Sequence, residues 1–418
     1  MKTSRKDFLK TLSAGTSLSA LSLLSPINKV FNQQLKSTFR ASDLPTKKDY
    51  SLAKEVHYLN HGSIGTIPKI VQQAHQDYLS LCESNPWFYM WSGEWDNSIE
   101  KVREKVANYI NAETNEISFP HNTTEVYNIL AQGLHLGKGD EVLFCNLNHA
   151  GASIPFHIHS GKFGYSVKVF DIPTENLPSV TKKDIIDLYD KNITGKTRLI
   201  VIPHIDNTFG LKQPVKEITA LARAKGVEYI SVDTAQTMGM LPIDVKELDI
   251  DVIGTSAHKW IQAPKGISVA FFSKKIQGVL DPMWVTWGQD EWKDSARKYE
   301  DYGTRNLPEV LTLGHSIDFQ SSIDKSSKAN HLKKLWTHGQ TLVEKNPKTL
   351  WRSPSDWDLA GSLFIVEVKG EKTSDLAKRL FKEHGFVFRP FDQYSTIRLS
   401  PNLFNTTDEL DQLFDLIV

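Results

Sequence analysis

The chain has little cysteine. Two thiols in 418 residues, Cys82 and Cys145, exclude a disulfide framework and a thiolate metal cluster. It has no excess charge either: 49 Lys and Arg balance 49 Asp and Glu. That balance argues against a nucleic-acid binder and against a polybasic membrane binder. Repeats and low-complexity tracts are missing. No run is apolar for long enough to span a bilayer comfortably. His157 and His159 form a His-x-His pair but lack further ligands, so no metal is expected. What is present is a 40% hydrophobic composition on a chain long enough for two domains. The expected partner is a small molecule in a local pocket.

Residues 1–32 read as a leader. Ser4-Arg5-Lys6-Asp7-Phe8-Leu9-Lys10 precedes a short apolar run from Leu12 to Leu24. The stub resembles a twin-arginine export signal, with Lys6 in place of the second arginine. The expectation is a periplasmic or exported protein; the alternative is a disordered amphipathic tail on a cytoplasmic one. Residues 33–57 are polar and mixed, and read as a linker and N-terminal arm.

Beyond them, helical and strand-like segments alternate. Helical spacing marks 98–109, 125–134 and 214–225. Short apolar runs at 141–145, 166–170, 199–202, 229–232 and 251–255 read as strands. Cys145 lies in the first of these and reads as a small core residue. This alternation predicts an α/β fold whose mostly parallel sheet is covered by helices on both faces. Such sheets bind ligands beyond the carboxyl ends of their strands. The pattern changes near residue 322, where strands at 363–368 and 396–399 combine with helices at 374–384 and from 407. The large domain is therefore placed at 58–321 and a smaller α+β C-terminal domain at 322–418.

The chemistry concentrates at two strand ends. The strand Tyr229-Ile230-Ser231-Val232 ends in Asp233, followed by Ala235 and Gln236. Alone, Asp233 reads better as a helix cap. A later strand ends in Ser256-Ala257-His258-Lys259-Trp260, with Pro264-Lys265-Gly266 just beyond. Together and in this order, these motifs resemble the class V aminotransferase family, from about Tyr58 to the C-terminus. The resemblance implies fold type I, a seven-stranded and mostly parallel sheet, and pyridoxal 5'-phosphate as cofactor. Lys259 would carry the cofactor as a Schiff base and then move a proton at the substrate's α-carbon. Asp233 would keep the pyridine nitrogen protonated.

The remaining roles are implied in the same way. His149, after the strand 141–145, would stack on the cofactor ring. Thr123 and Thr124 open a helix, a natural phosphate site, and Ser256 and His258 would add donors. Asn207 and Gln236 would contact the ring oxygen. Thr304, in Gly303-Thr304, would reach the phosphate of a neighbouring subunit, which implies a homodimer with shared sites. Arg398, in Ile397-Arg398-Leu399, would clamp a substrate carboxylate, with Asn60 and Arg305 as further substrate contacts. An α-amino acid is thus the implied substrate.

Within the family, Asn60-His61-Gly62-Ser63 and Trp287-Gly288 before Gly303-Thr304-Arg305 resemble the isopenicillin N epimerase-like members. Trp87, Tyr89 and Trp91 are possible pocket liners. The stretch 379–398 contains no cysteine, and its loop 386–392 offers no thiol for persulfide transfer. The resulting expectation is an epimerase-like enzyme acting at the α-carbon, not a cysteine desulfurase of the usual type. A β-elimination lyase and a non-catalytic cofactor-binding relative are the alternatives.

Overall fold

The computed structural model describes residues 44–286 and 288–417. The leader, residues 33–43 of the linker, Trp287 and Val418 lie outside the described residues. Among the described residues, no helix is long and apolar enough to cross a membrane.

An N-terminal strand β1 (His57–Tyr58) precedes the large sheet. That sheet holds β2 (Ile117–Ser118), β3 (Glu141–Cys145), β4 (Ser166–Phe170), β5 (Thr197–Pro203), β6 (Tyr229–Asp233), β7 (Val252–Ser256) and β8 (Ser268–Phe272). Its order is β2-β8-β7-β6-β5-β3-β4. Strands β7, β6, β5, β3 and β4 run parallel. β8 pairs antiparallel with both β7 and β2. The central strands β5 to β8 are buried almost throughout, with only Arg198 less than fully covered, and are mostly apolar, as expected of a sheet covered on both faces. The seven-stranded, mostly parallel architecture expected from the sequence is therefore observed.

The chain order reverses direction between β3 and β5. Such a switch point opens a crevice at the carboxyl ends of the strands. Helix Thr123–Gly133 directs its N-terminus there, capped by Asn122, whose side chain accepts the amide of Glu125 at 3.0 Å.

The second sheet holds β9 (Thr349–Trp351), β10 (Phe364–Val368), β12 (Arg389–Phe391) and β13 (Thr396–Leu399), all antiparallel. β1 pairs in parallel with β11 (Phe386–Val387), and Asn60 bridges to Ser400. Leu59 is buried in the core of the C-terminal domain, with Phe364, Phe386 and Leu399. Residues 57–60 thus pair and pack with the strands of the C-terminal part of the chain. The pairing partners lie more than 300 residues downstream, beyond the reach of local pattern. The crossing matters for function, because it carries Asn60, Gly62 and Ser63 from that domain into the crevice.

Candidate active site

Four strand ends supply the crevice. β6 ends in Asp233 and β7 in Ser256, three residues before Lys259. His149 follows β3, and Asn207 follows β5. These residues line one cavity of about 430 Å³, together with Thr123, Thr124 and Gln236. It opens into an adjoining space of about 540 Å³ that adds Gly62, Ser63, Arg389, Phe391 and Arg398. His149, Asn207, Gln236 and Lys259 border both.

Each side chain is held by identifiable contacts. The amide of Ala235 donates to Asp233 Oδ1 at 2.9 Å and fixes that carboxylate. Gln236 donates to the carbonyl of Gly62 and accepts from the Trp260 indole, both at 2.8 Å. The Thr123 and Ser256 hydroxyls lie 2.8 Å apart, and the Thr123 amide donates to Ser256 Oγ at 3.1 Å. That contact ties the helix N-terminus to the end of β7. His149 Nδ1 accepts the Gly151 amide at 3.0 Å, so the neutral ring carries its proton on Nε2. Gly65 clamps the Lys259 loop: its amide donates to the His258 carbonyl at 2.9 Å. A Cβ at Gly65 would lie 2.2 Å from the Lys259 carbonyl oxygen, so no larger residue fits.

The electrostatics are those of a charged group pair in a desolvated cleft. Burial lowers the Lys259 pKa to about 8, with Asp233 opposing and Arg398 assisting. Burial raises the Asp233 carboxyl, opposed by the Ala235 amide, Lys259 and His149. Desolvation lowers the His149 imidazole, against the pull of Asp233. Arg398 is 3% exposed. It donates to the carbonyl of Asn207 at 2.5 Å, to Ser63 Oγ at 2.6 Å and to Asn60 Oδ1 at 3.3 Å. Its buried Nε keeps no partner. A buried guanidinium with an unused donor beside a cavity is suited to an incoming carboxylate.

This set fits pyridoxal phosphate. Hydroxyls and a helix N-terminus gather at one part of the cleft, where a phosphate needs donors. The amine of Lys259 and the carboxylate of Asp233 border the same cavity, as a covalently held, protonated pyridine requires.

Comparison with known proteins agrees. The sequence pattern described as aminotransferase class-V matches residues 57–413. The chain belongs to the class V aminotransferase family. This class V enzyme therefore uses pyridoxal phosphate. It is 30% identical over 397 residues to a probable cysteine desulfurase of Methanothermobacter thermautotrophicus, covering 88% of this chain and 95% of that relative. It is 25% identical to an isopenicillin N epimerase of Amycolatopsis lactamdurans, covering 89% of this chain and 96% of that one. The solved apo structure of a cysteine desulfurase from Thermococcus onnurineus shares its fold, with a TM-score of 0.78 at 21% identity over 90% and 98% of the two chains.

These findings correct the functional expectation. Excluding the usual cysteine desulfurases rested on one loop, 386–392, that lacks a thiol. The similarity to proteins named cysteine desulfurases extends over nearly the whole chain and overturns that exclusion.

The class V site gathers most of the residues anticipated from sequence, but not all. The turn that brings Ser256 and Lys259 to the cleft leaves His258 outside its lining; desolvation lowers His258 to about 4. Thr304 is exposed and, with Arg305 and Trp91, borders a different cavity of about 950 Å³. Within one chain, Arg305 is not among the residues that line the cleft. It pairs with Glu300 at 3.1 Å and donates to the Phe119 carbonyl at 2.7 Å. Tyr89 is core, against Trp95, and Trp87 is 63% exposed. His157 and His159 lie on helix Ala150–Phe163, beside Phe144 and Phe163. Ser63, Arg389 and Phe391 border the site without having been assigned a role from sequence. Their signal is tertiary: strand register and the β1 crossing set their positions.

Proposed function

We propose that this enzyme removes sulfur from a cysteine-class α-amino acid. The observation that carries the reading is the placement of Lys259 and Arg398 on one cavity, with Asp233 behind, in a chain whose relatives are named for cysteine desulfuration. Arg398 and Asn60 orient the substrate carboxylate. Bound pyridoxal phosphate supplies an electron-poor ring that accepts negative charge from the substrate's α-carbon. Asp233 holds the proton at the ring nitrogen. Lys259, with a pKa lowered to about 8, offers a larger free-amine fraction near neutral pH than an ordinary lysine and exchanges the proton at the α-carbon.

The test is turnover of L-cysteine by the cofactor-loaded enzyme with dithiothreitol. One cysteine and one dithiothreitol give alanine, hydrogen sulfide and the cyclic disulfide, so two electrons balance. The expected result is alanine and sulfide in equal amounts. Pyruvate and ammonia without alanine, or no turnover, would sink the reading.

The same reading includes a homodimer. The exposed Gly303-Thr304 turn lies away from its own chain's cleft and is free to complete that of a second copy. Sedimentation equilibrium of the loaded protein is expected to give twice the chain mass; a monomer at micromolar concentration contradicts it.

A further inference from the structure

The mouth of the cleft holds two cations where a single substrate carboxylate needs one. In the register of β12 against β13, Arg389 stands directly opposite Arg398. Directly opposed residues project from the same face, with Cβ atoms about 4.5–5.5 Å apart, and like charges there are destabilising. Both guanidiniums stand over one ring: Arg389 Cζ is 5.6 Å and Arg398 Cζ 5.8 Å from the Phe391 centroid. All three residues border the 540 Å³ space next to Lys259.

Among the described residues no carboxylate forms an ion pair with either arginine. The neighbouring Asp392 is engaged by Lys372 at 3.6 Å and by Thr373 and Ser374, each at 2.8 Å. Asp206 accepts three backbone amides, from Thr208, Phe209 and Leu211. Burial, and next the charge of Arg389, bring the Arg398 guanidinium down to about 10. The mouth of the ligand space thus carries a buried guanidinium, Arg398, and a solvent-exposed one, Arg389, on the same face of the sheet.

We propose that Arg389 recognises a second anionic group on the substrate, so that the preferred amino acid carries an acid on its side chain as well as its α-carboxylate. This rests on the proposed function in one respect: Arg398 holds the α-carboxylate of an amino acid in that cleft. A second anion between Arg389 and Phe391 relieves the like-charge repulsion and gains a charge-assisted contact. An uncharged side chain of the same shape leaves the repulsion in place.

The isosteric pair L-aspartate and L-asparagine separates charge from shape. Each is titrated into the cofactor-loaded enzyme, and the change in cofactor absorbance gives its dissociation constant. Aspartate is expected to bind about tenfold more tightly than asparagine. In Arg389→Gln that ratio falls to within about twofold, while Arg389→Lys keeps part of it. Equal binding by the unaltered enzyme overturns the inference, as does a ratio that Arg389→Gln leaves intact. If cysteine still yields alanine while the preference is missing, the inference fails and the proposed function stands. If no amino acid perturbs the cofactor, both fail.

Discussion

Lys259→Ala is expected to lower turnover by about 10⁴-fold or more, the scale of losing a nucleophile and a proton carrier together. The same variant loses the visible absorbance of the lysine-linked cofactor. The reason lies in the geometry. Lys259 is the lysine that borders both the cofactor cavity and the substrate space. Burial lowers its pKa to about 8. At pH 7.5 an unperturbed amine near 10.5 is almost wholly protonated and poorly nucleophilic. A group near 8 gives up its proton readily there. Alanine cannot form the link or carry the proton. Added methylamine restores part of the rate if the loss is chemical, since a free amine can enter the space the side chain leaves. A merely unfolded variant gains nothing from it.

Glu300→Gln carries the second large effect, on stability. Glu300 is 5% exposed and accepts from the Arg103 guanidinium at 2.8 and 3.0 Å and from the Phe119 amide at 2.5 Å, with Arg305 at 3.1 Å. Arg103 is fully buried. The carboxylate thereby joins helix Asp96–Ile110, β2 and the loop that leads to Thr304. A glutamine has one accepting oxygen and turns an amide toward the guanidiniums. Leaving a buried charge unpaired costs about 3–5 kcal/mol, which is expected as the loss in unfolding free energy at pH 7. A loss under about 1 kcal/mol contradicts the assignment.

The pH dependence follows from the same carboxylate. The Arg103 and Arg305 guanidiniums outweigh the penalty of burial and hold Glu300 at about 2, against 4.5 unperturbed. A depressed carboxylate pKa means the unfolded chain takes up the proton first as pH falls. The Glu300 contribution is fully present above about 4.5 and lost on descending toward about 2. Urea unfolding of the unaltered protein should weaken across that window more steeply than unfolding of Glu300→Gln.

The most legible features were the strand ends. Asp233 and Lys259 could be read from two apolar runs that each stop at a polar residue, because in a parallel sheet all such ends meet on one edge. Strands 141–145 and 166–170 matched their apolar runs for the same reason. β2 was invisible at two residues, and the run at Ser268–Phe272 shows no direction by itself. Helix Ala150–Phe163 was missed because it opens with small residues, contains Pro155 and has no one-sided apolar stripe. The functional residues that escaped prediction depend on distant partners. Arg389 gains meaning only from standing opposite Arg398. The exclusion of desulfurases failed because one absent thiol was weighed against a pattern spread over the whole chain.

The most direct test is to reduce the cofactor-loaded enzyme with sodium borohydride, digest it and locate the pyridoxyl mass by peptide sequencing. The mass is expected on Lys259 alone. Its appearance on Lys265, Lys328 or any other lysine, with Lys259 unmodified, would contradict the assignment of the cleft between Asp233 and Lys259 as the place where this enzyme works.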